Sequence, residues 1–308
     1  MSSGYEMGNV LFYFIKIPFH LSHFFGIIHV LCNMSLEVTA LNSGSNGNCF
    51  YIGNEREAVL IDAGISCREI ERRMERLNLS MKKVKALFIS HEHTDHVRGV
   101  RVLSKKYQLP VYSTPGTLKE AHLSYYNPLN LQLAPYEDIG IGNLIVTAFP
   151  KNHDAHDPQS FVVKHHDVCV GVFTDIGMPC EHVIKHFNCC HAIFLETNYD
   201  TQMLANGNYP YHLKRRISSH FGHLSNDQAL ELFCKHRPEF MSHVFLSHLS
   251  KENNDPEQVH NLFRAHADGV EIVLTSRDSE IPVYTINSVA THKIKPVSIK
   301  AEQLSLFA

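Results

Sequence analysis

The chain lacks any surplus of positive charge: Lys and Arg total 28 against 31 Asp and Glu, for a formal net charge of -3. A whole-surface attraction for nucleic acid is therefore excluded, and a polyanion would have to be held at a local site. No C-x-x-C pair occurs among its eight cysteines, Cys32, Cys49, Cys67, Cys169, Cys180, Cys189, Cys190 and Cys234. A chain of 308 residues can bury a core without covalent staples, so these are expected to be reduced thiols, mostly small buried hydrophobes of a cytoplasmic protein. No linker rich in Pro, Gly or Ser, no low-complexity segment and no short-period repeat divides the sequence, which argues against separate modules.

Residues 1–33 do not match the rest. The stretch "VLFYFIKIPFHLSHFFGIIHVL" is apolar and aromatic but interrupted by Lys16, His20, His23 and His29. It lacks the leading positive charges and small-residue cleavage site of a secretory signal. Its histidines are unfavourable in a spanning helix, which needs about 20 apolar residues. No membrane partner is expected. The segment is read as an extension outside the domain, which is taken to occupy residues 34–308 and to start with the strand of "MSLEVTALNSGSNGNC".

What the chain has in excess is histidine, 23 in all, many beside Asp, Asn, Gly or Ser. Strand patterns are expected at 36–41, 49–52, 58–61, 84–90, 144–149, 161–164, 168–173, 192–195, 244–246 and 270–273. Helical spacing is expected at 67–77, with Ser66 as N-cap, and at 97–107, 181–187, 227–235 and 257–266. Hairpins and strand–helix units are mixed in both halves, which suggests an α/β protein with two sheets and helices packed outside.

Polar residues follow these strands with regularity. Asp62 closes "LIDAG"; His91, His93, Asp95 and His96 stand in "FISHEHTDHVRG"; His153 and Asp154 follow "TAFP". Asp175 follows "CVGVFT", Glu196 ends "AIFLE", and His248 follows "HVFLS". Loops at one end of layered sheets can converge although far apart in sequence. A His-x-His pair can place both imidazoles on one metal, leaving Asp95 and His96 to serve another, and Zn²⁺ and Mn²⁺ both accept mixed imidazole and carboxylate shells. Two divalent ions about 3.5–4 Å apart share and deprotonate a water and bind the charged oxygens of the transition state. Asp175 is the isolated acidic group suited to bridge them. His156 rivals His153, but the strand ends just before His153; His243 rivals His248, but it starts the strand that His248 ends. Asp95 has a competing reading as a helix cap near Val97.

The H-x-H-x-D-H element, with the later His, Asp and His at strand ends, resembles the signature of the metallo-β-lactamase superfamily. The fuller set "NSGSNGNCFYI", "LIDAG", "FISHEHTDHVRG", "HDAHDP", "FTDIG", "ETNYD", "GHLSN" and "FLSHLSKENND" is similar to its YycJ/WalJ group of single-domain exonucleases. The resemblance covers residues 36–286. It implies a four-layer α/β/β/α sandwich and two divalent metal ions, Zn or Mn. It places His91, His93 and His153 on one ion and Asp95, His96 and His248 on the other. Asp175 bridges them, and Asp62 steadies the histidine loop from behind. One position departs: Tyr199 stands where a histidine is expected before the Asp of "ETNYD".

The activity implied is a phosphodiesterase, foremost a DNA exonuclease, using a water shared by the metals. Asp95, His223 and His220 are the expected catalytic residues, with a histidine such as His223 neutralising the phosphate or protonating the leaving oxygen. Substrate contacts are expected from Lys214, Arg215 and Arg216, the one obvious basic cluster near the His220 loop, and from Ser43 and Asn48 in the glycine-rich loop. That loop lacks the Lys and spacing of a nucleotide-binding loop. The alternatives are a hydrolase of a small phosphodiester, thioester or lactam, since a fold does not fix its reaction, and a metal-stabilised non-enzymatic partner in cell-envelope signalling. The latter is implied only by the group's association with a two-component system.

Overall fold

The computed structural model describes residues 35–123 and 128–288; the expected extension at 1–33 lies outside them. In chain order the first half runs β1 (Leu36–Asn42), β2 (Cys49–Gly53), β3 (Ala58–Ile61), α1 (Cys67–Arg76), β4 (Val84–Phe88), α2 (Thr94–Val97), α3 (Val100–Tyr107), β5 (Val111–Ser113), α4 (Pro115–Glu120) and β6 (Asn130–Gln132). The second half runs β7 (Asp138–Ile141), β8 (Leu144–Pro150), β9 (Gln159–His165), β10 (Val168–Phe173), α5 (Glu181–Phe187), β11 (Ala192–Glu196), α6 (Thr201–Asn206), α7 (Tyr211–Ile217), α8 (Asn226–His236), β12 (His243–Ser247), α9 (Pro256–Arg264), β13 (Glu271–Leu274) and β14 (Tyr284–Ile286).

Two seven-stranded sheets form, in the orders β14-β1-β2-β3-β4-β5-β6 and β13-β12-β11-β10-β9-β8-β7. Alternation along each strand sorts its side chains between two interfaces. In β2, Phe50 and Ile52 enter the core between the sheets, whereas Cys49 and Tyr51 join Ile70 and Met74 of α1 on the outer face. In β11, Ala192 and Phe194 face the first sheet while Ile193 and Leu195 pack toward Val183 of α5, Phe233 of α8 and Phe263 of α9. Three apolar clusters thus fill the three interfaces of an α/β/β/α sandwich. Strands buried on both faces explain why β10 and β11 are continuous apolar runs.

Ser66 caps α1 as expected, its side chain accepting from the Glu69 amide. The helix expected over 97–107 is broken in two, because the Gly99 amide donates to Ala63 O at 2.7 Å. A methyl group at Gly99 would lie 2.2 Å from Ile65 O, so only glycine lets this turn lie against the loop after β3. Strands β5, β6, β7 and β14 and helices α4, α6 and α7 were not expected from the sequence. Among the described residues no helix is long and apolar enough to cross a membrane, and the seven described cysteines are free thiols.

Candidate metal centre

The parallel pairings set the site. Ile61 is opposite Phe88 in the first sheet; in the second, Phe173 is opposite Leu195 and Glu196 opposite Ser247. Asp62 and the loop beginning at Ser90 therefore leave one sheet at the same edge at which Asp175, Glu196 and His248 leave the other. The Gln159 amide donates to Ser90 O at 2.9 Å and joins the two edges. Asp62, Asp175 and His248 turn away from their strands with φ of 61°, 54° and 57°. Left-handed backbone is uncommon outside glycine and is held here by the surrounding structure.

Each of four histidines has its Nδ1 fixed by a protein group. His96 Nδ1 donates to Asp62 Oδ2 at 2.7 Å, and His91 Nδ1 donates to Ser90 Oγ at 2.9 Å, which itself donates to Asp62 Oδ2 at 2.8 Å. His153 Nδ1 donates to Gly222 O at 3.0 Å, and His248 Nδ1 to Glu196 Oε1 at 2.9 Å. Their Nε2 lone pairs are left facing inward, the orientation metal-binding imidazoles adopt. His91 Nε2 and His153 Nε2 lie 3.0 and 3.4 Å from His93 Nδ1. Asp95 Oδ2 lies 3.5 Å from His96 Nε2 and 3.8 Å from His248 Nε2. Between the two sets stands Asp175: its Oδ2 is 3.2 Å from His96 Nε2, and its Oδ1 is 3.5 Å from His248 Nε2 and 3.9 Å from His153 Nε2.

The donor set fits divalent cations. Asp175 Oδ2 and His248 Nε2 are buried with no hydrogen-bond partner, and lone pairs turned on one another at these distances need a cation between them. Burial opposes charge on His96 and His248, yet Asp175 and the neighbouring carboxylates hold both well above the usual imidazole range, His248 at about 10. Burial likewise opposes charge on Glu196, but His223 and His248 bring its carboxyl down to about 2. Metal ions binding here would displace protons from these groups.

His223 forms the rim. Its Nδ1 donates to Glu196 Oε1 at 2.8 Å, and its ring centroid is 5.3 Å from those of both His153 and His248. Glu196 thus holds two histidines, a role that sequence reading missed; its only signal was an acidic residue ending the apolar run "AIFLE". Lys151, also missed, is buried and donates to Thr174 O at 2.7 Å. Asp95 caps no helix, since His93 is the residue before α2. His156 is exposed beside Glu92, and His243 faces Glu271 at the far end of β12.

Other expected residues lie around the histidine and carboxylate cluster or away from it. Ser43 and Asn48, expected to approach substrate, are buried. Ser43 Oγ accepts from the His248 amide at 2.9 Å, while Asn48 Nδ2 lies 3.1 Å from His96 Nε2. Behind Asn48, a methyl group on Gly64 would lie 1.6 Å from Asp95 O, so the histidine loop is pressed directly on the loop after β3. His220 is exposed and shares no ring contact with the cluster histidines among the described residues. The basic trio splays: Arg216 pairs with Asp154, whose Oδ1 is 3.4 Å from His153 Nε2, while Lys214 donates to Ala205 O and Arg215 lies over the Tyr211 ring.

Comparison with known proteins agrees with this geometry. The model of the metallo-beta-lactamase superfamily matches residues 43–202. The chain is 32% identical over 227 residues to Exodeoxyribonuclease YycJ of Bacillus anthracis, covering 73% of this chain and 86% of that one. It is 30% identical over 235 residues to Exodeoxyribonuclease WalJ of Streptococcus pneumoniae, covering 75% and 87%. Among solved structures, the metallo-beta-lactamase fold protein YhfI from Bacillus subtilis superposes with a TM-score of 0.64 at 14% identity, over 82% of this chain and 99% of that one. With the family model matching residues 43–202 and most of its length shared with these relatives, the chain belongs to the metallo-β-lactamase superfamily of hydrolases.

Proposed function

We propose that the protein is a dinuclear metal-dependent phosphodiesterase that removes nucleotides from DNA ends in the cytoplasm. The observation that carries this reading is the single Asp175 carboxylate lying within 4 Å of ring nitrogens from both sets, His153 on one side and His96 and His248 on the other. His91, His93 and His153 would hold one ion and Asp95, His96 and His248 the second, with Asp175 shared; the donor types suit Zn²⁺ or Mn²⁺. When bound, such ions supply an activated water and positive charge against the phosphate.

The chain's own residues do the rest. Asp62 and Glu196 orient the imidazoles. His223, with Nδ1 committed to Glu196 and its ring partly exposed, can use Nε2 to neutralise a phosphate oxygen or protonate the leaving oxygen. Arg216, beside Asp154, is the cation placed best to meet a phosphate entering over His153. DNA as substrate is supported by the exodeoxyribonuclease relatives, which this chain matches over most of their length, and a cytoplasmic setting would follow from that substrate.

The test is incubation of the full chain, with Mn²⁺ or Zn²⁺, on end-labelled DNA, RNA and bis(4-nitrophenyl) phosphate. Chelator-sensitive release of nucleotides from DNA is expected. Protein that carries metal yet leaves all polymers intact would refute the nuclease, and fast hydrolysis of the small diester alone would favour the small-substrate alternative.

A further inference from the structure

The two halves of the histidine cluster present the same kind of ring but are backed by different charge. On the side of His96 and His248 the charged groups are carboxylates. Asp95 brings its own, 3.5 Å from His96 Nε2 and 3.8 Å from His248 Nε2. Behind the rings, His96 Nδ1 donates to Asp62 at 2.7 Å and His248 Nδ1 to Glu196 at 2.9 Å, and both of these carboxylates are fully buried.

His91, His93 and His153 are supported by neutral groups. His91 Nδ1 meets the Ser90 hydroxyl, with Asp62 one bond further back, and His153 Nδ1 meets the Gly222 carbonyl. His93 turns Nδ1 toward His91 and His153, and among the described residues no protein group holds its other ring nitrogen. Asp154 comes within 3.4 Å of His153 Nε2, but Arg216 pairs with it. Lys151, two residues before His153, adds a buried ammonium that donates to Thr174 O, and its charge acts against positive charge on His91 and His153.

Asp175 faces both sets and does not separate them. What separates them is three carboxylates on one side and a paired carboxylate with a buried cation on the other. Away from water, fixed charges act on a divalent cation over several ångströms. A carboxylate on the far nitrogen of an imidazole also makes that ring a stronger ligand, whereas a hydroxyl or carbonyl orients it without adding charge.

We infer that the two metal positions are unequal: the one at Asp95, His96 and His248 keeps a resident divalent ion, and the one at His91, His93 and His153 exchanges its ion with solution. This rests on the dinuclear reading and adds its regulation. The chain would carry one ion when metal is scarce and complete its centre only as free metal rises.

The experiment starts from the full chain loaded with Mn²⁺ and lowers free Mn²⁺ with graded chelator. Bound metal is counted by elemental analysis and free Mn²⁺ by its EPR signal. The ion kept at one equivalent is located by anomalous scattering from crystals. Loss in two steps is expected, with dissociation constants at least about 100-fold apart, and the kept ion should lie at Asp95, His96 and His248. Asp62→Asn should weaken the tighter step about 10- to 100-fold and draw the two steps together. Lys151→Met should tighten the weaker step on the order of tenfold, and Lys151→Arg, which keeps the charge, should leave it in place. Thermal melting of each loaded variant checks that it is folded; should the Lys151 variants fail, wild type and Asp62→Asn decide. Loss of both ions together, or a kept ion at His91, His93 and His153, overturns the inequality and leaves the dinuclear centre standing. Steps equally far apart in Asp62→Asn, or a weaker step unmoved in folded Lys151→Met, overturn its electrostatic origin. Saturation at one ion, held at Asp95, His96 and His248, keeps the preference and overturns the dinuclear reading. Two separate steps without cleavage of any diester keep the inequality and overturn the phosphodiesterase alone.

Discussion

Asp62 and Glu196 occupy the same place in the two sheets: each follows or ends a strand, and each accepts from the Nδ1 of a histidine on the loop after the neighbouring parallel strand. They differ in what else they hold. Asp62 takes the Ser90 amide and hydroxyl, so all its bonds serve the one histidine loop. Glu196 takes the amides of Ile176 and Leu224 and two imidazoles, His248 from the floor and His223 from the rim. The first carboxylate supports only the loop that carries proposed metal ligands. The second links a ligand to the residue proposed to meet the substrate, so the two halves should respond differently when their anchors are weakened.

The largest effect is expected where the halves meet. Asp175→Ala should release both ions and cost more than the roughly 100-fold ceiling of an outer hydrogen-bond partner, read by elemental analysis and by rate. His223→Ala should lower kcat about 10²- to 10⁴-fold with metal content unchanged; loss of an ion in this variant would move His223 from the rim into the ligand set. Next come the two anchors, with about 10- to 100-fold weaker metal binding each in Asp62→Asn and Glu196→Gln. Excess metal should restore Asp62→Asn fully, whereas Glu196→Gln should keep a kcat defect through His223. Equal rescue of both would erase the distinction between the two anchors. Arg216→Ala is the smallest: its exposed pair with Asp154 should contribute about 0–1 kcal/mol to stability, and its loss should reduce the salt slope of DNA binding by about one counterion.

The same contrast governs how far the site could be read beforehand. His91, His93, Asp95 and His96 sit within six residues, and no capping duty needs three imidazoles at that spacing. Asp175 and His248 were legible only as polar residues standing after apolar strands. Glu196 could not be assigned because its partners, His223 and His248, come together only when β11 and β12 pair in parallel. Central strands such as β3 and β10 show in sequence as doubly buried apolar runs. The three-residue strands β5, β6 and β14 have no periodicity long enough to see and exist through their neighbours. Helix α7 escaped notice for the opposite reason: with no buried face it has no apolar stripe. Ser43 and Asn48 were expected at the substrate because their loop borders the site; in the structure both are buried, Ser43 on the His248 amide and Asn48 beside His96.

Gly64 carries no functional group, yet any side chain there would strike the carbonyl of Asp95 from behind. A mutational scan scored on activity alone would rank it beside the histidines, and an inhibitor programme guided by that scan would chase a residue no ligand can touch. Pairing the scan with a measure of folded abundance would not separate them if the rest of the sandwich survives. Metal content would not separate them either, because a displaced Asp95 should empty its half of the centre while the protein stays folded.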